Sequence, residues 1–347
     1  MHVVVVGAGP SGLAAALALH QQSSASSPIR VTILELRPKL ETIGGAVNLT
    51  PLAMRYIDAL GAGARLRPRG IKVGNIEIIS HRTGATLGKL WPDADALRVK
   101  RYDVSLSLLE TIQALPDNNV SLRFGVRVQA IEETGSTDSS QGGVRVRLTD
   151  LSGDNEEALE ADVVLGCDGI HSFVRSQYVE PERKKEFSGC ATAYGYITLP
   201  EPDQTILRKP DGEPAVIDTT LVSARNGSLL FSYCEASRTD LYVAAVVSEK
   251  EKEDARNGWK AVGADMDALK KDLASKFVGG KIQGLDAAVA MCESWFFFPV
   301  YMLPAGGKWT KGRVLLLGDA AHAVSISRPP IPPFPHPPIL PSSQFPH

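Results

Sequence analysis

The chain opens with HVVVVGAGPSGLAAALALHQQ, residues 2–22, and this stretch decides the fold. Residues 2–6 are apolar and mostly β-branched, which is typical of a strand buried on both faces. Residues 11–22 are rich in alanine and leucine and predict a helix. A second buried strand is predicted at 29–34, after a serine-rich loop. The order strand, helix, strand indicates a parallel sheet.

The residues between the first strand and its helix form the motif GAGPSG at 7–12. Gly7 permits a tight turn, Gly9 lets a pyrophosphate approach the backbone, and Gly12 lets helix and strand pack closely. The helix N-terminus offers free N–H groups and a partial positive charge to a phosphate. Glu35, at the end of the second strand, can accept hydrogen bonds from ribose hydroxyls, as in NAD or FAD. A chance glycine-rich turn is the alternative, and the agreement of strand, helix and acid argues against it.

Two further motifs place an aspartate directly after a predicted buried strand. Residues 163–166 lead to Asp168-Gly169, and residues 313–317 lead to Gly318-Asp319. A carboxylate at such a strand end can accept a hydrogen bond from a sugar-alcohol hydroxyl. Taken alone, each aspartate is more often a plain turn former or helix cap.

Together, the three motifs resemble those of the class A flavoprotein monooxygenases, the para-hydroxybenzoate and salicylate hydroxylase type, from residue 1 to about residue 323. The resemblance implies an α/β fold, with a Rossmann-like FAD-binding domain (βαβ, mostly parallel sheet) and an inserted antiparallel-sheet substrate domain. It implies FAD as cofactor, NAD(P)H as transient co-substrate, and O2 and an aromatic or conjugated small molecule as partners. In that family NAD(P)H reduces FAD, O2 adds to form a C4a-hydroperoxide, and one oxygen atom passes to the substrate.

The resemblance also implies which residues contact the cofactor. The glycine motif at 7–12 holds the ADP part of FAD, and Glu35 holds the adenosine ribose. Asp168-Gly169 contacts both FAD and NAD(P)H, and Gly318-Asp319 holds the ribityl chain. A small-residue loop runs beside the isoalloxazine ring, and an arginine before a helix contacts FAD. For Arg101 the alternative is a surface arginine near a helix start. For Arg37 it is a solvated charge at the end of a strand. The residues so implied are Gly7, Gly9, Ser11, Gly12, Glu35, Arg37, Gly45, Ala46, Val47, Arg101, Asp168, Gly169, Gly318 and Asp319.

Candidates for contact with the substrate are few. Tyr194 and Tyr196 are weak candidates, and packing within a strand is the stronger interpretation for both. Gly195 stands where fungal-type relatives often carry an arginine, so an arginine-assisted role is not supported. Residues 295–298, Trp-Phe-Phe-Phe, are interpreted as core rather than an aromatic cage. His322, behind the Gly-Asp motif, is interpreted as structural because the hydroperoxide route needs no base there.

Alternating apolar residues predict the antiparallel domain. Such patterns occur at 71–80, 192–199 and 229–247, and a further half-buried strand is predicted at 120–128. The predicted FAD-binding domain comprises 1–75, 101–180 and 290–324, and the substrate domain comprises 76–100 and 181–289.

Residues 325–347 differ from the rest of the chain, because they contain 9 of its 23 prolines. The family continues after Gly-Asp with a glycine-containing turn and a long helix, which so many prolines exclude. The change indicates a translated intron, a frameshift or an erroneous gene model, and we expect a disordered tail, weak FAD affinity and poor turnover. The alternative is an inactive flavoprotein fragment, or an interaction protein whose Pro-rich tail binds a partner.

Composition excludes several other classes of protein. Lys plus Arg number 37 and Asp plus Glu 39, so the net charge of -2 gives no reason to expect nucleic acid as a partner. No stretch reaches the roughly 18 uninterrupted apolar residues of a membrane span. Four cysteines without metal-ligand spacing predict no metal site and a reducing, cytoplasmic location. Oligomeric state, substrate identity and the choice of NADH or NADPH stay open.

Overall fold

The computed structural model describes residues 1–41, 44–74, 76–90, 95–135, 142–201, 204–251, 265–277 and 279–324. The tail at 325–347, for which disorder is predicted, lies outside them. The strands are β1 His2–Val6, β2 Arg30–Leu34, β3 Ala46–Leu49, β4 Ile71–Val73, β5 Ile76–Ser80, β6 Thr86–Leu90, β7 Ala96–Lys100, β8 Val120–Arg123, β9 Val126–Thr134, β10 Gly143–Asp150, β11 Glu157–Ala161, β12 Val163–Gly166, β13 Glu186–Thr198, β14 Thr219–Ala224, β15 Gly227–Tyr233, β16 Asp240–Ser248, β17 Phe296–Met302, β18 Thr310–Lys311 and β19 Val314–Leu316. The α-helices are α1 Pro10–Gln22, α2 Pro51–Ala59, α3 Gly63–Leu66, α4 Arg101–Gln113, α5 Met266–Lys276, α6 Leu285–Met291 and α7 Asp319–His322.

A six-stranded sheet, in the order β18-β19-β12-β1-β2-β8, forms the first domain. All its neighbouring strands are parallel except β18 and β19. Val3 and Val5 face a core shared with α1 and α4, whereas Val4 and Val6 face a three-stranded sheet, β11-β10-β9. Both faces are therefore covered, which explains the continuous apolar runs in β1 and β2.

A seven-stranded sheet, in the order β17-β13-β16-β15-β14-β5-β6, forms the second domain. Its pairs are antiparallel apart from β14 with β5. One face packs on α5 and α6, whose buried residues include Leu273 and Leu285. The opposite face carries Tyr194 and Tyr242 in a smaller cluster that also includes Ala46. The predicted fold, a mostly parallel Rossmann-like sheet with an inserted antiparallel-sheet domain, is confirmed.

A third sheet, in the order β3-β7-β4, lies between the two domains. Val47 and Val99 point from it into the core that contains α1 and α4. Ala46, which precedes Val47, belongs to the cluster on the seven-stranded sheet. This small sheet therefore contacts both domains.

Two alternating patterns prove to be two strands each. The stretch at 120–128 divides into β8 and β9, which belong to different sheets, and Gly125 forms the turn between them with φ +70°. The stretch at 71–80 likewise divides into β4 and β5. A period-2 pattern reports alternating burial, and it continues unbroken when the chain passes from one half-buried sheet to the next.

Strand pairing also differs from the predicted domain boundaries. Residues 96–100, assigned to the substrate domain, form β7 and pair with β3 and β4. Residues 296–302, assigned to the FAD-binding domain, form β17 and pair with β13 at the edge of the seven-stranded sheet. Among the described residues, no helix is both long enough and apolar enough to cross a bilayer.

Substitution of Gly12 tests the packing at the start of α1. A Cβ added to Gly12 would lie 2.0 Å from the carbonyl oxygen of Gly7, which is backbone and cannot move aside. We expect Gly12→Ala to lower the free energy of unfolding by on the order of 1–3 kcal/mol, as overpacking does. Urea denaturation of the flavin-free chain measures this change.

Gly9→Ala is the matched control for that experiment. A Cβ at Gly9 would meet nothing within 4 Å, and its φ of -71° suits any residue. The free energy of unfolding should therefore stay within about 0.5 kcal/mol of the original. Equal losses from the two substitutions would contradict the packing described for Gly12.

Candidate active site

Three motifs meet at one edge of the six-stranded sheet. Strands β19, β12, β1 and β2 run parallel, so the residues that follow them lie side by side at their carboxyl ends. A Cβ on Gly7 would lie 2.5 Å from the Cys167 carbonyl oxygen, and one on Gly318 would lie 2.3 Å from Ser11 Oγ. The glycine motif therefore touches the residues before Asp168 and the Gly-Asp motif. Such an edge is where open α/β sheets bind ligands.

The start of α1 is open toward this edge. Gly9 is its N-cap residue and provides no side-chain hydrogen bond, and Pro10 follows it as the first helical residue. No side chain therefore caps the first N–H groups of the helix, which leaves them able to bind an anion. An added Cβ at Gly9 would meet nothing within 4 Å, so the backbone there is open to the approach of a phosphate.

The Glu35 carboxylate is fixed beside the glycine motif. Its Oε2 accepts a hydrogen bond from Ala8 N at 2.8 Å, and its Oε1 accepts one from Arg37 N at 2.9 Å. Each carboxylate oxygen retains acceptor capacity for a hydroxyl. The Arg37 guanidinium donates to the Glu41 carbonyl oxygen at 2.7 Å, so it is tied to its own loop.

Asp168 offers an oxygen without a partner. Its Oδ2 accepts a hydrogen bond from Val174 N at 3.1 Å, while its buried Oδ1 has no hydrogen-bond partner among the described residues. Burial raises the pKa of this carboxyl, and hydrogen bonds from Ser172 and from backbone N–H groups oppose that shift. A buried acceptor is costly to leave unpaired, which marks Oδ1 as a place for a ligand hydroxyl or water. Gly169, with φ +77°, continues the turn into open space.

Two arginines hold the Gly-Asp motif in place. Gly318 has φ +59° and leads into the short helix α7, which begins at Asp319. Buried Arg175 donates to the Ala320 carbonyl oxygen at 3.0 Å, and Arg183 donates to that of Ala321 at 3.0 Å. Neither residue was predicted as part of the site. Arg175 lies seven positions after Asp168, so its place within the Asp-Gly segment could have identified it as a site residue. No sequence motif lies near Arg183 that could have identified it.

The turn at 44–47 joins the two domains. Gly44 N donates to the Tyr194 hydroxyl at 3.0 Å, and Arg101 N donates to the Gly45 carbonyl oxygen at 2.9 Å. A Cβ on Gly44 would lie 2.7 Å from Arg101 Nη1, so the guanidinium packs directly on this turn. Gly45 is equally close to Tyr242, whose ring would be 2.2 Å from an added Cβ. Only glycine permits these approaches, which Ala46 and Val47 then continue into β3.

An aromatic face borders the same turn. Tyr194 stacks on Phe296, with ring centroids 5.2 Å apart and an interplanar angle of 20°, and on Phe298 at 6.1 Å. Phe296 is 50% exposed, whereas Trp295 and Phe297 point to the opposite side of β17 and are buried. The interpretation of 295–298 as core agrees with buried Trp295 and Phe297, whereas Phe296 is exposed and Phe298 is half-buried against the cluster that contains Tyr194. Strand alternation could have separated the two pairs.

The remaining residues discussed from the sequence lie in different surroundings. Tyr196 is half-buried, and Lys100 Nζ lies 5.2 Å from its ring centroid. Position 195 faces the other side of β13, because a Cβ there would lie 2.3 Å from Cys292 Sγ. An arginine at 195 would therefore point away from Tyr194. His322 is exposed and stacks on Trp309 at 5.1 Å.

These residues fit FAD. The uncapped helix start suits the pyrophosphate, the fixed Glu35 carboxylate suits a ribose, and the unpartnered Oδ1 of Asp168 suits a hydroxyl. The described residues contain no group of three or more His, Cys, Asp or Glu side chains arranged for a metal ion.

Comparison with known proteins independently indicates an FAD-binding protein. A family model described as an FAD binding domain matches residues 1–328. The chain is 26% identical over 334 residues to the phenazine 1,6-dicarboxylic acid hydroxylase PhzS of Lysobacter antibioticus, a match that covers 92% of this chain and 76% of the relative. It is 26% identical over 330 residues to the 3-hydroxybenzoate 6-hydroxylase of Polaromonas naphthalenivorans, covering 92% and 72%.

A solved structure shares the fold. Klebsiella pneumoniae HpxO complexed with FAD and uric acid matches with a TM-score of 0.70 and 20% identity, over 94% of this chain and 74% of that chain. The family match over nearly the whole chain identifies the cofactor as FAD and the protein as an enzyme. The chain belongs to the class A family of FAD-dependent monooxygenases.

Proposed function

We propose that the chain is an FAD- and NAD(P)H-dependent monooxygenase that inserts one oxygen atom from O2 into an aromatic or conjugated small molecule. The observation that carries this proposal is the aromatic face of Tyr194, Phe296 and Phe298. It is hydrogen-bonded, through Tyr194, to the 44–47 turn that the family resemblance places beside the flavin ring.

The chain's own residues bind and orient the cofactor in this proposal. The N–H groups at the start of α1 hold the pyrophosphate, and Glu35 holds the adenosine ribose. Arg101 contacts FAD from the end of the 44–47 turn, and Asp168 and Asp319 receive hydroxyls of the cofactor. When bound, FAD supplies the redox chemistry between NAD(P)H, O2 and the substrate, and the second oxygen atom leaves as water.

The aromatic face orients the substrate. Offset stacking on Phe296 and Tyr194 favours a planar ring, because aromatic pairs gain about 0.5–1.5 kcal/mol beyond the area they bury. The named activities of the relatives agree, since a phenazine dicarboxylic acid and 3-hydroxybenzoate are planar aromatic acids. Apolar side chains also exclude water from the reacting atoms, which limits side reactions.

We propose the cytoplasm as the location. All four cysteines are buried thiols. Burial raises the pKa of each thiol, most clearly that of Cys167, to about 12. Buried thiols of raised pKa are unreactive, and such cysteines suit a reducing compartment.

Substitution of Gly9 should weaken FAD binding without changing the free energy of unfolding. A methyl group at Gly9 fills the space that we assign to the pyrophosphate. We expect Gly9→Ala to raise the dissociation constant of FAD on the order of tenfold, which corresponds to about 1.4 kcal/mol. Quenching of flavin fluorescence measures it, and an unchanged constant would remove the pyrophosphate from this place.

The prolines at 325–347 give a second prediction, which concerns retention of the cofactor. In the family that the chain resembles, a glycine-containing turn and a helix follow the Gly-Asp motif, and the proline content of 325–347 does not suit such a helix. We expect weak FAD binding and slow turnover in this chain, because a helix N-terminus near the flavin stabilises its negative charge. Gel filtration followed by a visible spectrum tests this. Stoichiometric flavin, together with substrate-stimulated NAD(P)H oxidation, would show that the expected impairment is wrong while supporting the proposed reaction.

Neighbouring phenylalanines give a third prediction. Phe296→Ala removes an exposed ring from the aromatic face, so we expect a higher KM or dissociation constant for aromatic ligands and little change in stability. Phe297→Ala, on the opposite side of the strand, should lower the free energy of unfolding by about 3–5 kcal/mol. Ligand titration and urea denaturation of both variants separate the two roles. If Phe296→Ala left aromatic ligands unaffected, the face would not be the substrate site.

A further inference from the structure

Six apolar side chains lie in one line across the seven-stranded sheet. The pairing register places each of them opposite the next on neighbouring strands, in the order Phe296, Tyr194, Ala244, Leu230, Leu221 and Ile78. Residues paired in this way point to the same face of a sheet. We call the last four of them, Ala244, Leu230, Leu221 and Ile78, the apolar row.

The apolar row continues the aromatic face toward the far side of the sheet. Leu230 packs against the cluster that contains both Tyr194 and Ala244. Adjacent strands of a sheet are about 4.8 Å apart, so the line from Tyr194 to Ile78 crosses four strand spacings and extends roughly 19 Å. It begins at the tyrosine whose hydroxyl is hydrogen-bonded to the 44–47 turn.

The far part of the row does not belong to the core of the second domain. Val222 and Ile79, which follow Leu221 and Ile78 in the sequence, point to the opposite face and pack in the core with α5 and α6. Leu230, Leu221 and Ile78 are half-buried, so each retains surface that solvent can reach. Covering apolar surface of this kind is a source of binding free energy for a ligand.

Hydroxyl side chains border the middle of the row on both sides. Two positions away along β15 and β14, Ser232 and Thr219 bond to each other with their oxygens 2.7 Å apart. On the other side Ser228 is paired with Ser223. The apolar strip between these pairs is therefore one side chain wide, and none of the residues that form or border it there carries a charge. Such a strip suits a narrow, uncharged apolar group.

We propose that the substrate is an aromatic compound that carries an extended apolar chain, and that this chain lies along the apolar row. The inference rests on the proposed function for the place of the aromatic ring. The ring stacks on Tyr194 and Phe296, and the chain crosses β16, β15 and β14 toward Ile78. A ring without a chain leaves the exposed surface of Leu230 and Leu221 uncovered.

Phenols that differ only in chain length test the proposal. Phenol, para-butylphenol and para-octylphenol are titrated by calorimetry against the full chain, first without FAD and then with FAD added. An extended carbon chain advances about 1.25 Å per carbon, so butyl spans about one strand spacing and octyl about two. With the ring on Tyr194 and the first carbon of the chain over Ala244, butyl reaches Leu230 and octyl reaches Leu221.

Affinity should rise with chain length, by about two- to fourfold for each methylene group that contacts the row. Leu221→Ala should weaken binding of para-octylphenol about five- to tenfold and leave that of para-butylphenol and phenol within about twofold. Leu230→Ala should weaken binding of both alkylphenols but not of phenol. Leu87→Ala removes an exposed leucine of β6 outside the row, so this matched control should change none of the three affinities.

Two further variants separate loss of contact from loss of folding. Leu221→Met keeps an apolar side chain of similar size and should restore most of the affinity for para-octylphenol. If Leu221→Ala does not fold, as thermal melting without ligand would show, Leu221→Thr makes the same comparison with a residue that suits a strand.

Three results would overturn the proposal. They are equal affinities for the three phenols, no binding of para-octylphenol, and equal weakening of its binding by Leu221→Ala and Leu87→Ala. Failure of the proposed function would look different. Affinities that follow chain length and depend on Leu230 and Leu221, without NAD(P)H oxidation stimulated by any of the phenols, would sustain the role of the apolar row while the proposed reaction fails.

Discussion

Close approach of one backbone to another at the first turn of α1 is the constraint on which the site depends. Gly12 lies against the Gly7 carbonyl, and Gly7 lies against that of Cys167. These contacts bring the end of β1 next to the end of β12, and the parallel register of the sheet adds the ends of β2 and β19. Site residues from segments more than 300 positions apart in the sequence therefore lie at one edge, because the parallel strands that precede them end at that edge.

The second domain contacts the 44–47 turn through two tyrosines. Tyr194 accepts a hydrogen bond from Gly44, and Tyr242 packs on Gly45. Tyr194 and Tyr242 of the seven-stranded sheet are thus positioned by the backbone of the 44–47 turn, the turn that we propose lies beside the flavin. Any movement of that turn would be transmitted to the aromatic face.

Much of this architecture could be predicted from local patterns. The β1-α1-β2 unit and Glu35 together carry a strong signal, because strand, glycine motif, helix and acid must all occur at fixed spacing. The two aspartate motifs are weak signals alone and become informative only alongside that unit. Strand pairing at β7 and β17 could not be predicted, since the paired residues lie between 23 and 116 positions apart in the sequence and periodicity does not encode them.

Roles that depend on which face of a strand a residue occupies were also difficult to predict. The aromatic composition of 295–298 predicts a single core segment, although alternate residues point to opposite sides of the sheet. The burial of Arg98 in the middle of β7 could not be predicted from the sequence, because a charged residue in an otherwise apolar strand is ordinarily exposed. Its burial follows only from the sheet that covers it.

The strand order has a consequence for how the molecule can be assembled. The seven-stranded sheet takes β5 and β6 from before residue 91 and the rest from after residue 185, while the six-stranded sheet takes β19 from residues 314–316. Each domain is interrupted by the other, so neither can be cut from the chain as one continuous piece. During synthesis neither sheet can be completed until its C-terminal strands have been made. Until then the unpaired strand edges of both sheets are prone to aggregation.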